Sequence, residues 1–148
     1  MAKIQWLNEN VALPELDFLL LEDWLSQVAQ SHSRILHELV YVFCDDEKIL
    51  DVNRQFLNHD YYTDIITFDY CRGKLLRGDI YISLDTVRTN AEGLGCSYDV
   101  ELKRVISHGL LHLCGIDDKG PGEREIMESH ENEALALFES LANKQNNI

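Results

Sequence analysis

Residues 107–118 read Ser-His-Gly-Leu-Leu-His-Leu-Cys-Gly-Ile-Asp-Asp, and the predicted fold is arranged around this stretch. His108 and His112 are four residues apart, which places both on one face of a helix because four residues turn through roughly 400°. The carboxylates of Asp117 and Asp118 follow a few residues later. Two imidazoles, one carboxylate and an open position for water are typical of a catalytic zinc ion. The stretch therefore predicts a metal site on a helix and the turn after it.

Two glycines within the stretch refine this prediction. Gly115 supplies the left-handed residue that commonly ends a helix, so the chain can turn back and bring one of the two aspartates towards the histidines. Gly109 stands where His-Glu-x-x-His metalloproteases carry the glutamate that acts as general base, which argues against peptidase chemistry. A glycine here costs about 1 kcal/mol of helix propensity, and it would let a neighbouring strand or a substrate approach closely.

The 148 residues and 45% apolar composition fit one globular domain spanning 1–148. The net charge of −13 weighs against phosphate binding, but it is uneven, since the segment 72–104 holds six basic and five acidic side chains. No apolar run reaches the roughly 18 residues of a membrane span and no export signal is recognisable, so we expect a cytoplasmic protein without a membrane partner. The four widely spaced cysteines are expected to be free thiols.

The hydrophobic pattern predicts the α+β class, as a single domain with a small mixed sheet of about four strands packed with about five helices. The short segment Arg72-Gly73-Lys74 lies between the last two predicted strands, so these two strands are expected to form a hairpin. Ser97 is the expected N-cap of the histidine-bearing helix. The predicted strands are 3–8, 39–44, 65–68 and 78–83, and the predicted helices are 15–31, 46–57, a helix from Ser83 or Asp85 to about Gly95, 98–114 and 121–143.

Three separated segments resemble, in the same order, motifs of the YbeY endoribonuclease family. They are Thr-Asp-Ile-Ile-Thr-Phe at 63–68, Gly-Asp-Ile-Tyr-Ile-Ser at 78–83, and His-Gly-Leu-Leu-His-Leu-Cys-Gly-Ile-Asp at 108–117. The resemblance implies an α+β domain with one zinc ion and metal-dependent cleavage of single-stranded RNA. It also implies maturation of the 16S rRNA 3′ end, a part in ribosome quality control, and association with the ribosome and its proteins. No DNA substrate is expected.

Carried over by position, the resemblance implies that His108 and His112 are the first two zinc ligands. The family signature ends in a third histidine, and Asp118 occupies that position here. Aspartate can ligate zinc, so a site of two histidines and one aspartate is expected. A carboxylate also lowers the net positive charge of the site, which would make its bound water less acidic and shift metal selectivity towards iron, manganese or nickel.

A second departure concerns the cation that would hold the scissile phosphate. The family's functional arginine corresponds to Leu57, and Arg54, one helical turn earlier, is the candidate substitute. Asp64 or Asp117 could orient ligands or accept a proton, although either could equally cap a loop. The basic residues of 72–104 are expected to contact the RNA backbone.

Two other functional classes are compatible with these residues. In the first, the chain is a ribosome-associated protein whose metal is structural and which cleaves nothing. In the second, it is a small-molecule metallohydrolase, or an iron enzyme with two histidines and one carboxylate as ligands. Metal-assisted phosphodiester hydrolysis is the preferred hypothesis, because the three segments occur together and in order.

Overall fold

A four-stranded mixed sheet forms the centre of the computed structural model, which describes residues 3–59 and 63–146. The strands lie in the order β1-β2-β4-β3; β2 is parallel to β1 and to β4, and β3 is antiparallel to β4. The predicted hairpin is therefore confirmed. The strands are β1 (Ile4–Asn8), β2 (Ile35–Cys44), β3 (Ile65–Asp69) and β4 (Leu75–Ser83).

Five α-helices accompany the sheet in the described part of the chain, so the predicted α+β class is confirmed. They are α1 (Phe18–Ser31), α2 (Asp46–Val52), α3 (Leu84–Leu94), α4 (Tyr98–Leu113) and α5 (Glu123–Asn146). A π-helical turn, Asn53–Leu57, continues α2. Within the described ranges, no helix combines the length and apolar character needed to cross a bilayer.

The ends of several elements differ from the prediction for local reasons. α1 begins at Phe18 rather than at 15, because the carboxylate of Asp17 accepts a hydrogen bond from the Leu20 amide at 3.1 Å and caps the helix there. β2 begins at Ile35, ahead of the predicted 39, and a shift of strand register follows Leu36, where the apolar alternation is interrupted. The loop predicted at 57–62 lies partly outside the described residues.

The sheet is covered on both faces, unequally. The main core lies between one face and the helices α1, α4 and α5. Two buried hydrogen bonds connect elements across this core. The Tyr41 hydroxyl of β2 donates to the Ile106 carbonyl of α4 at 2.8 Å, and the Trp24 indole of α1 donates to the Ala134 carbonyl of α5 at 2.7 Å. A smaller cluster on the opposite face packs beneath α2 and includes Ile66 of β3. Successive residues of β3 therefore face different environments, as the pleat of a strand requires.

Helix α4 lies directly on the sheet because Gly109 has no side chain. A Cβ atom at Gly109 would lie 3.0 Å from Cδ1 of Ile65 and 3.0 Å from Cγ2 of Ile80, on two neighbouring strands. The close approach of a strand that the sequence suggested for this glycine is thus confirmed. The contact places the two histidines of α4 beside β3.

Candidate metal centre

Both ends of α4 are fixed by local hydrogen bonds. The Ser97 hydroxyl accepts from the Val100 amide at 3.2 Å, which confirms the predicted N-cap. At the other end, the Gly115 amide donates to His112 O at 3.0 Å and the Ile116 amide donates to Leu111 O at 3.2 Å. These two bonds form a Schellman motif, and Gly115 takes the left-handed conformation (φ 92°) that it requires. The motif turns the chain back, so that Asp118 faces α4.

His108 has a carboxylate at each ring nitrogen. Its Nδ1 lies 2.7 Å from Oε2 of Glu131, a buried residue of α5, and its Nε2 lies 3.4 Å from Oδ2 of Asp118. Burial alone would lower the pKa of His108, but the hydrogen bond to Glu131 and the negative charges of Glu131, Asp118 and Asp64 outweigh it and raise that pKa. The structure thus places Asp118 against His108, whereas Asp117 is exposed.

His112 lies one turn further along the same face of α4. Its Nδ1 is 3.1 Å from the hydroxyl oxygen of Thr67 on β3, within hydrogen-bond distance. Both histidines line the same cleft as Asp118. When Nδ1 is engaged in this way, Nε2 is the nitrogen left for a ligand.

The donor chemistry of these three side chains fits a zinc ion. In a tetrahedral site with bonds of about 2.0–2.1 Å, neighbouring ligand atoms are about 3.4 Å apart. The distance of 3.4 Å between His108 Nε2 and Asp118 Oδ2 matches this value. Across residues 3–59 and 63–146, no three His, Cys, Asp or Glu side chains are already grouped closely enough to hold a metal ion. His108 and Asp118 lie at the spacing of neighbouring ligands, and their role as metal ligands together with His112 is a proposal.

The cleft has a volume of about 870 Å³ and runs between the β3 edge of the sheet, α3, α4 and the start of α5. Arg104, one of its few cations, is held by Glu101 at 3.7 Å and by Glu131 at 3.4 Å. The cleft is consequently acidic and suited to a cation. Of the described residues that line it, five carry carboxylates (Asp64, Glu101, Asp118, Glu128 and Glu131), three are lysine or arginine (Arg104, Lys119 and Arg124), and three are histidine (His59, His108 and His112).

Asp64 lines the same cleft beside the histidines. Its Oδ2 accepts a hydrogen bond of 3.4 Å from the Asn90 amide group. Burial raises the pKa of Asp64, although the positive charge of His108 opposes the increase. A carboxyl group with a raised pKa is better matched to proton transfer near neutral pH than an exposed one.

Leu57 occupies the position of the family's functional arginine, and Arg54 is its candidate substitute; the two differ in whether they line the cleft. Leu57 lines the cleft, with 38% of its surface exposed. Arg54 is exposed on the π-helical turn and is not among the described residues that line the cleft. Of the basic residues in 72–104, only Arg104 does so. The structure therefore does not bring the expected RNA-contacting residues of 72–104 to this cleft as a group.

Sequence reasoning missed Glu131, which contacts His108, and Glu101, which lines the same cleft. The position of each glutamate on its helix is visible in the sequence. Glu131 falls four residues after Met127 and three before Ala134, so it interrupts the apolar stripe of α5 at helical spacing. Glu101 is seven residues before His108 and shares its helical face. An acidic residue on a buried face is expected to have a partner.

A four-stranded mixed sheet with an acidic, histidine-bearing cleft at its antiparallel edge defines a small α+β protein with a histidine–carboxylate centre. The sequence profile of Endoribonuclease YbeY matches residues 7–139. The chain belongs to this family. It is 60% identical to Endoribonuclease YbeY of Bacteroides thetaiotaomicron over 134 residues, which cover 90% of this chain and 98% of the relative. It is 58% identical to Endoribonuclease YbeY of Phocaeicola vulgatus, with 91% and 98% covered.

The fold is also similar to a solved structure. The solution structure of TM1509 from Thermotoga maritima superimposes with a TM-score of 0.65 and covers 96% of this chain and 93% of its own. The two sequences are 24% identical, so the similarity supports the fold alone.

Proposed function

We propose that this chain is a metal-dependent endoribonuclease that hydrolyses phosphodiester bonds of single-stranded RNA in the acidic cleft. The observation that carries the proposal is the pair His108 Nε2 and Asp118 Oδ2 at 3.4 Å, set beside His112 in a chain of the Endoribonuclease YbeY family. An acidic cleft would by itself repel RNA phosphates. A bound cation would offset this negative charge and so allow a phosphate to enter the cleft.

His108, His112 and Asp118 would hold one zinc ion or another divalent transition metal. When bound, such an ion lowers the pKa of a water molecule and offsets negative charge on the phosphate. Asp64 would accept the proton of the attacking water at its carboxylate, and the raised pKa caused by burial favours that role.

The cleft also provides candidate contacts for the RNA backbone. Lys119 and Arg124 are exposed and line it, so they are better placed than the basic residues of 72–103 to approach a phosphate. Arg54 remains a candidate from the family comparison alone. Leu57 provides only an apolar surface where the family arginine would stand.

A cleavage assay tests the activity. The purified protein, with its metal content measured by elemental analysis, is incubated with end-labelled single-stranded RNA and with the matching duplex. We expect cleavage of the single strand and little of the duplex. His112→Ala should abolish cleavage, whereas His37→Ala, which removes an exposed histidine of β2, should leave it unchanged.

Cleavage that persists in the double variant His112→Ala, Asp118→Ala would refute the proposed centre. Zinc binding without cleavage of any RNA would instead favour the ribosome-associated, non-nuclease alternative. Activity restricted to small phosphodiesters would favour a small-molecule hydrolase.

The cellular role is proposed from family membership. We infer that the substrate is ribosomal RNA, with maturation of the 16S rRNA 3′ end as the principal step, and that the protein acts in the cytoplasm with the ribosome and its proteins. Incubation of purified immature small subunits with the wild-type protein should shorten their 16S 3′ ends. Co-sedimentation with ribosomal subunits in a sucrose gradient should be seen for the wild type, and its absence would contradict the ribosome-bound role.

A further inference from the structure

We propose that Glu131 is a positioning residue of the metal centre, which holds the proton of His108 on Nδ1 and so directs Nε2 towards the metal. The inference rests on the proposed metal role of His108. It concerns a residue of α5 that the family motif at 108–118 does not contain.

The geometry singles out Glu131 among the acidic residues of α5. Its Oε2 is 2.7 Å from His108 Nδ1, and its Oε1 is 3.4 Å from Nη1 of Arg104. Only 7% of the residue is exposed. A buried carboxylate is costly unless its oxygens are paired, and here each oxygen has a donor on α4. The pairing therefore fixes the position of the carboxylate as well as its charge.

This hydrogen bond has a direct consequence for the imidazole. A neutral histidine carries one N–H, so an acceptor that holds the proton on Nδ1 leaves the Nε2 lone pair available. Nε2 is 3.4 Å from Asp118 Oδ2, whereas Nδ1 is 2.7 Å from Glu131 Oε2, so the shorter contact with Glu131 is the one that holds the single proton. A negative charge behind the ring also makes Nε2 a stronger electron donor.

A purely structural role for Glu131 makes a different prediction. Helix α5 is already joined to the rest of the core by the hydrogen bond between Trp24 and Ala134 and by the burial of Met127. If Glu131 only tied α5 to α4, its replacement would lower stability and leave the affinity of the folded protein for metal unchanged.

The test compares Glu131→Gln with Glu128→Gln in the full chain. Both substitutions neutralise one carboxylate of α5 that lines the cleft, but only the first touches His108. Zinc affinity is measured by competition with a chromophoric chelator, and thermal melting confirms that each variant is folded. We expect the zinc dissociation constant to rise about 10- to 100-fold in Glu131→Gln and to rise far less in Glu128→Gln, which removes one charge of the cleft but no contact with His108. An unchanged constant in folded Glu131→Gln, or an equal rise in both variants, would overturn the inference.

A second measurement needs no variant. Nitrogen-15 NMR of the metal-free wild type in alkaline buffer reports which ring nitrogen of His108 carries the proton. We expect the proton on Nδ1, and a proton on Nε2 would overturn the inference even if Glu131→Gln failed to fold. The two proposals fail separately: wild type that binds zinc without cleaving RNA contradicts only the nuclease proposal, whereas normal zinc affinity in Glu131→Gln contradicts only this one.

Discussion

At Gly78 of β4, any side chain would occupy space that the backbone of β3 already fills. A Cβ atom there would lie 2.5 Å from the carbonyl oxygen of Phe68, and the hairpin pairing holds that oxygen in place. We expect Gly78→Ala to lower the free energy of unfolding by about 2–3 kcal/mol, as overpacked core substitutions do. Urea denaturation followed by circular dichroism measures the change.

Gly93 provides the matched control for that substitution. It lies near the end of α3, it is exposed, and a Cβ atom would have nothing within 4 Å. Gly93→Ala should raise the free energy of unfolding, by up to about 1 kcal/mol, because alanine is the better helix former. Equal effects of the two substitutions would contradict the steric explanation.

The four free cysteines should differ in their reactivity. Cys44 and Cys114 are buried, and burial raises the pKa of their thiols to about 12 and about 11. The thiolate is the nucleophile that attacks an alkylating reagent, so these two thiols should remain unmodified in the folded protein. Cys96, which lines the cleft and is half-buried, should be modified first. Mass spectrometry after brief treatment with iodoacetamide, with and without urea, gives the order.

At the scale of elements, the contact between α1 and α5 should depend on pH. His32 caps α1, and its ring lies 4.8 Å from that of His130 on α5. Burial, the charge of His130 and the charge of Arg34 lower the pKa of His32, while Glu133 opposes them. Below the ordinary value of about 6.5 the unfolded chain therefore binds the proton more readily than the folded one. The stability is fully present above this pH and is lost as the pH falls from it through the lower pKa that His32 has in the folded state.

The substitution His32→Gln isolates this effect. It should reduce the loss of unfolding free energy between neutral and mildly acidic buffer, measured by urea denaturation at both pH values. His37→Gln, at an exposed position on β2, serves as the control. If the pH dependence of His32→Gln equals that of the wild type, the histidine contact is not its cause.

Elements whose signals are local in sequence were predicted well. The period of apolar residues, the cap at Ser97 and the glycine at 115 all lie within or next to α4, and they place that helix almost to the residue. β2 was predicted too short because its first residues combine exposed charge with a register shift, which periodicity alone does not resolve. The π-helical turn after Val52 falls within the predicted helix 46–57, since an extra residue in one turn leaves no separate signal in composition.

The candidate site also has residues that local sequence predicts and one residue that it does not. His108, His112 and Asp118 are close in sequence and could be named from spacing and family resemblance. Glu131 could not, because its contact with His108 depends on how α5 docks against α4, and docking is set by the whole core. The charged residue within the apolar stripe marks the position but does not identify its partner.

For the molecule as a whole, the acidic cleft predicts that metal and stability are linked. Binding to the folded state alone stabilises by about 2.7 kcal/mol when free metal is 100 times the dissociation constant. Zinc should therefore raise the melting temperature of the wild type by several degrees, and a chelator should reverse the increase. Asp118→Asn should reduce the response strongly, whereas His37→Ala should retain it. An equal zinc response in Asp118→Asn would contradict a ligand role for Asp118.

The hydrogen bond between Glu131 and His108 joins α5 to the cleft, and this has a consequence for the motions of the native state. Local opening of α5 would remove the acceptor from His108 without unfolding the sheet, so the fraying of one helix and the occupancy of the centre become a single linked equilibrium. Amide protons of α5 around Glu131 should exchange with solvent more slowly when zinc is present, while those of β1, at the far edge of the sheet, should not change.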